Sequence, residues 1–98
     1  MNHTITLAAS DGFKLFAYLA QPQTPPRAGV VILPEIFGVN SHIRGVADQY
    51  AELGYLAIAP AMFDRARPGL DLGYSEQDVK TGQALMRELS WDDAVRDI

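Results

Sequence analysis

Cysteine is absent from this chain of 98 residues. That excludes a disulfide framework, a thiolate metal site and a cysteine nucleophile within these residues. No apolar run approaches the ~20 residues of a membrane-spanning helix, and Met1-Asn2-His3-Thr4-Ile5 has no basic leader ahead of an apolar core, so the expectation is a cytoplasmic protein without membrane association. Basic residues are few and dispersed: eight Lys and Arg stand against twelve Asp and Glu, for a formal net charge of -4. This balance disfavours nucleic acid and anionic lipid as partners. Neither a Gly-x-x-x-x-Gly-Lys-Ser/Thr loop nor a Gly-x-Gly-x-x-Gly fingerprint occurs, which leaves a phosphate cradle without support. His3 and His42 lack a second ligand at metal-binding spacing, and no metal is assigned.

What is present matches a soluble globular domain: 48% hydrophobic and 20% charged residues, without biased tracts or repeats. A chain of this length makes one domain at most and buries roughly 60 to 65% of its unfolded surface. Residues 3–8 alternate polar and apolar, Asp11-Gly12 supplies turn chemistry, and Lys14 to Ala20 resumes the alternation through Leu15, Ala17 and Leu19, predicting an antiparallel hairpin. Pro22, Pro25 and Pro26 then mark an extended connection. Gly29-Val30-Val31-Ile32-Leu33 has no polar face, the pattern of a central strand covered on both sides.

From Asn40 the spacing of Ile43, Val46, Ala47, Tyr50, Ala51 and Leu53 is helical, with Asn40 or Ser41 as cap and Gly54 as terminator. Tyr55 to Ala59 is a second all-apolar strand, which completes a parallel strand-helix-strand unit and sets the fold class as α/β. Residues 60–74 form a long connection at the same sheet end as Glu35. Ser75 to Leu89 predicts a second helix, capped through Ser75 and Asp78 and interrupted in its apolar stripe, with Gly82 weakening its continuity. Trp91 to Ile98 begins a third.

Chemistry concentrates at Pro34-Glu35-Ile36-Phe37-Gly38-Val39-Asn40, because open parallel sheets bind ligands beyond the carboxyl ends of their strands. Glu35 offers a carboxylate at the sheet rim, with Arg44 as a candidate partner. The backbone N–H of Ile36, just after a strand, is placed to stabilise an oxyanion in acyl transfer. Phe37 either lines an apolar pocket or packs beneath the helix, and Gly38 supplies an unusual backbone angle. Ala8-Ala9-Ser10-Asp11-Gly12 half-matches a nucleophile elbow but lies in a hairpin rather than between strand and helix, so Ser10 is rejected. Asp64, Asp71, Asp92 and Asp93 are loop or cap acids by default.

The string Val30 to Asn40, continued by Ile43-Arg44, Ala47-Asp48, Tyr50-Ala51, Gly54-Tyr55, Ala59-Pro60 and Met62-Phe63-Asp64-Arg65, resembles the dienelactone hydrolase family of α/β hydrolases. The resemblance implies that residues 1–98 are a single partial domain, the N-terminal part of an α/β-hydrolase fold truncated before the nucleophile elbow. It implies hydrolysis of a small lactone or ester through an acyl-enzyme intermediate, with no metal or organic cofactor, by a cysteine, aspartate and histidine triad that would lie beyond Ile98. Glu35 would then control protonation of the nucleophile, Ile36 N–H would be one oxyanion donor, and Phe37 would line the substrate pocket. A substrate-carboxylate ligand would fall after Tyr74, at Lys80 or a neighbour. By the same resemblance the Val30 to Leu33 strand would have an open edge, where the missing C-terminal half or a second copy would pair. The chain alone would be inactive. The alternatives are a non-catalytic interaction module using that edge and an α/β hydrolase with a serine nucleophile.

Overall fold

The computed structural model describes residues 2–98, with the backbone alone for Trp91. Strands β1 (His3–Ala8), β2 (Lys14–Ala20), β3 (Gly29–Val31) and β4 (Leu56–Pro60) form one sheet in the order β1-β2-β4-β3. The first two pair as the expected antiparallel hairpin, β2 continues antiparallel to β4, and β3 lies parallel to β4. Helix α1 (Ser41–Glu52) joins β3 to β4, and α2 (Glu76–Glu88) and α3 (Trp91–Asp97) follow. An α/β unit of strand, helix and strand thus adjoins an antiparallel hairpin, and the sheet is open.

Small side chains decide how closely the layers meet. Ala47 and Ala51 of α1 lie against Ala20 of β2 and Ala57 of β4, with Tyr18 and Ile32 flanking them. Spacing of four residues places Ile43, Ala47 and Ala51 on one buried stripe, as helical geometry requires. Both faces of β2 carry buried residues, Leu15 and Ala17 on one and Ala20 on the other, where the alternation points to one.

Asn40 is the cap of α1: its side-chain oxygen accepts the Ile43 N–H at 3.1 Å. An N-cap of this type contributes about 1 kcal/mol. Ser75 caps α2 through the Asp78 N–H as expected, and Ser90 caps α3 through the Asp93 N–H.

Four features depart from the sequence pattern. Strand β3 ends at Val31, and it is an edge strand among the described residues, with Val31 47% and Leu33 51% exposed, where the all-apolar pattern predicts a central strand covered on both faces. Residues Met62–Arg65 form a 3-10 turn inside the supposed open connection. Helix α2 runs unbroken through Gly82, because the glycine serves a close contact rather than a break. Finally, Asp64 is buried, not a solvated loop acid: its carboxylate accepts the Phe16 N–H at 2.8 Å and the Gly69 N–H at 2.9 Å. Just past the last pair of the ladder between β2 and β4, the Ala61 N–H satisfies the Phe16 carbonyl at 2.7 Å, and the Asp64 carboxylate satisfies the Phe16 N–H by a charge-assisted bond.

Candidate functional site

The chain leaves β3 at Val31 and reaches Glu35 within four residues. Glu35 opens a tight turn closed by the Gly38 N–H donating to its carbonyl at 3.1 Å. Gly38 takes φ +78°, a left-handed conformation that a Cβ disfavours by about 1–2 kcal/mol. The turn is then fixed by three contacts. The Leu72 N–H donates to the Phe37 carbonyl at 2.8 Å, and Gly38 bridges to Asp71 across the same loop. Gly82 of α2 lies directly against the Ile36 carbonyl.

Asn40 ties this loop to α1. While its oxygen caps the helix, its amide nitrogen donates to the Leu72 carbonyl at 3.1 Å and to the Tyr74 hydroxyl at 3.3 Å. The Phe37 ring is 9% exposed and meets the Tyr74 ring edge-on at 4.5 Å between centroids, a pairing favoured by the ring quadrupoles. Phe37 is therefore packed under the loop, and Tyr74, which no sequence signal singled out, is its partner.

Glu35 is exposed at the surface of the turn. Arg44 does not pair with it. The guanidinium instead donates to the Val39 carbonyl at 2.7 Å and to Asp71 at 3.3 Å, so it buttresses the loop beside the turn and leaves the Glu35 carboxylate uncommitted. Among the described residues the Ile36 N–H has no acceptor. Ile36 is half-buried and lies five residues beyond the carboxyl end of the parallel strand β3. Ser10, His3 and His42 are all exposed, and the described residues contain no group of three or more potential metal ligands. Lys80 is exposed on α2, two residues before Gly82.

Beside the turn, an apolar cavity of about 270 Å³ opens among Pro34, Met62, Phe63, Met86, Leu89 and Ala94. Pro34 immediately precedes Glu35, so the cavity and the turn adjoin along the chain. A larger cleft of about 620 Å³ among Asn2, Gln23, Asp48 and Glu52 is polar and shares no residue with the turn. Size is the weaker guide here, because the smaller cavity has the apolar lining that ligand sites favour.

The signature of the Dienelactone hydrolase family matches residues 15–98. The chain belongs to that family. A Synechocystis protein provisionally named as a carboxymethylenebutenolidase is 38% identical over 96 residues, covering 97% of this chain and 39% of that protein. The carboxymethylenebutenolidase of Pseudomonas putida is 34% identical over 68 residues, 69% of this chain and 29% of its own length. In three dimensions, the crystal structure of a Klebsiella pneumoniae protein provisionally named as a dienelactone hydrolase superposes with a TM-score of 0.71 at 28% identity, covering 99% of this chain and 40% of that one. This member of the dienelactone hydrolase family thus spans about two-fifths of the length of such relatives. No nucleophile turn is identifiable in it.

Proposed function

We propose that the protein carrying this chain hydrolyses small carboxylic esters or lactones through an acyl-enzyme intermediate. The observation that carries the proposal is the Ile36 N–H, a backbone donor without an acceptor among the described residues, beyond the carboxyl end of β3. As the nucleophile attacks the carbonyl carbon, the π electrons move to oxygen, and a preorganised N–H there stabilises the developing negative charge. Glu35, exposed beside this donor and unpaired with Arg44, is available to hold or release the proton of the nucleophile. The apolar cavity next to Pro34 suits the hydrocarbon part of a small substrate. Names of the relatives favour a lactone such as a carboxymethylenebutenolide as substrate. The proposed nucleophile is a cysteine, and it and the remaining triad members belong to sequence other than residues 1–98.

The test uses the protein expressed from its complete coding sequence, with p-nitrophenyl acetate as substrate. Glu35→Gln is expected to lower kcat by about 10² with the fold retained. Unchanged turnover in that variant would sink the role of Glu35. Inactivation by iodoacetamide supports the thiol, whereas inactivation only by a fluorophosphonate replaces it with a serine.

A second reading is supported by the exposure of Val31 and Leu33 at the β3 edge. An unpaired apolar edge is a template for strand addition, so the chain would act as an interaction module that pairs with a second copy or with a complementary segment. On this reading, sedimentation shows a concentration-dependent dimer that Val31→Lys dissociates. A monomer at every concentration removes self-association.

A further inference from the structure

Residue Ile36 has a backstop at its carbonyl and Cβ. Helix α2 passes so close to it that a Cβ built on Gly82 would stand 2.4 Å from the Ile36 carbonyl oxygen, 3.1 Å from its carbonyl carbon and 3.1 Å from its Cβ. Gly82 is buried in the middle of a 13-residue helix, a place where glycine costs about 1 kcal/mol relative to alanine. Neither a cap nor a bend uses it, since the helix ends six residues later at Glu88 and runs on unbroken. The contact with Ile36 is what the absence of a side chain permits.

Gly38 makes a matching approach to a second backbone, its missing Cβ falling 2.2 Å from the Leu70 carbonyl oxygen. The turn therefore touches two main-chain surfaces, α2 at Ile36 and the loop of residues 70–72 at Gly38. Neither surface has a side-chain rotamer that could relax. The carbonyl that Gly82 meets belongs to the Ile36–Phe37 peptide, and the Ile36 N–H to the neighbouring Glu35–Ile36 peptide; the two planes join at the Ile36 Cα, which bears the Cβ that Gly82 also meets, so a shift of Ile36 turns its N–H as well.

We propose that Gly82 is a positioning residue for the Ile36 N–H: α2, through a bare backbone contact, sets the angle at which that donor meets the oxyanion. The inference rests on the hydrolase reading above. Gly82 touches neither substrate nor reacting atoms, and its effect falls on the step in which negative charge develops. A ground-state ester oxygen makes weak demands on the donor, whereas the oxyanion makes strong ones. Displacement of the Ile36 peptide by an inserted methyl group accordingly reaches kcat and leaves KM nearly unchanged.

The experiment compares wild type, Gly82→Ala and Gln83→Ala, all expressed from the complete coding sequence. Gln83 is the exposed neighbour on the same helix and controls for helix composition. Active sites are titrated by the p-nitrophenolate burst so that kcat refers to folded enzyme. Gly82→Ala is expected to lower kcat about 10- to 100-fold, in the range known for misplacing or removing one oxyanion donor, with KM within about twofold. Affinity for an aryl trifluoromethyl ketone, whose carbonyl oxygen becomes an oxyanion when the nucleophile adds, should fall by the same factor as kcat/KM. Gln83→Ala should match wild type.

If Gly82→Ala is insoluble, Leu85→Ala withdraws the helix instead of wedging it. Leu85 is half-buried three residues on, along the same face, and its truncation should reduce kcat severalfold at constant KM. Unchanged kcat in whichever variant folds, or a loss confined to KM, overturns the positioning role. A wild-type protein that shows no ester turnover overturns the hydrolase reading itself, which is a separate result.

Discussion

Gly38→Ala is expected to destabilise the protein by about 3 kcal/mol or more. Two costs act at one atom. The first is conformational: with φ at +78°, a Cβ carries the ordinary left-handed penalty of about 1–2 kcal/mol. The second is overlap. That Cβ would lie 2.2 Å from the Leu70 carbonyl oxygen and 2.8 Å from its carbonyl carbon, both of them main-chain atoms that move only if the loop moves. Gly12 separates the two terms, since its φ is +89° while an added Cβ would meet nothing within 4 Å. Gly12→Ala should therefore cost only the conformational part. Urea unfolding of both variants provides the comparison, and equal midpoints would show that the loop yields to the methyl group without resistance. Displacement of the loop would also free the Leu72 N–H from the Phe37 carbonyl, so catalytic loss should accompany the loss of stability.

Arg65→Ala should be equally damaging for a different reason. Arg65 donates from Nε and Nη2 to the two oxygens of Asp97, each at 2.8 Å, and from Nη1 and Nη2 to Asp11 at 3.0 Å. Its guanidinium carbon also sits 4.5 Å from the centroid of the Phe13 ring. The Asp97 side chain is fully buried. Removing the cation strands that carboxylate away from water, a one-sided loss that destabilises more than deleting both partners together. Arg65→Lys should recover less than half of the loss, since an ammonium cannot present two forks at once. Chemical denaturation at pH 7 measures both, and a change under 1 kcal/mol for Arg65→Ala would show that Asp97 finds water or another donor.

Acid acts on the exposed half of this cluster. The hydrogen bond from Arg65, then the Phe13 N–H, hold the Asp11 carboxyl down at about 2 from an ordinary 3.8. A carboxyl with a depressed value stabilises the fold above its unfolded titration and loses that contribution as pH falls through the folded one. The Asp11 contribution should thus be complete above about pH 4 and disappear toward pH 2, and Asp11→Asn should flatten that part of the acid limb.

The strands, α1 and its Asn40 cap could be read from the sequence because periodicity and capping are local. Val30 to Leu33 and Tyr55 to Ala59 differ from the hairpin strands in lacking a polar face, and that difference separated parallel from antiparallel pairing. Glu35 and Ile36 were located by the end of an apolar run followed by a turn. Other features depend on contacts distant in the chain, for which no local pattern exists. The burial of Asp64 arises from the N–H of Phe16, 48 residues away, and the Arg65 cluster joins the hairpin turn to α3 over 54 and 32 residues. Gly82 shows the limit most directly: within its own helix it looks like a defect, and only its contact with Ile36 explains it.

The strand order β1-β2-β4-β3 also sets a schedule for synthesis. Of the four strands described, the last to leave the ribosome lies between two that leave earlier, so β2 and β3 have no common partner until Pro60 has emerged. About 30 residues separate the end of β3 from that point, roughly 2–6 s at ordinary elongation rates. During that interval the nascent chain carries a hairpin and an apolar strand that nothing yet joins, a form suited to capture by chaperones that grip short hydrophobic segments.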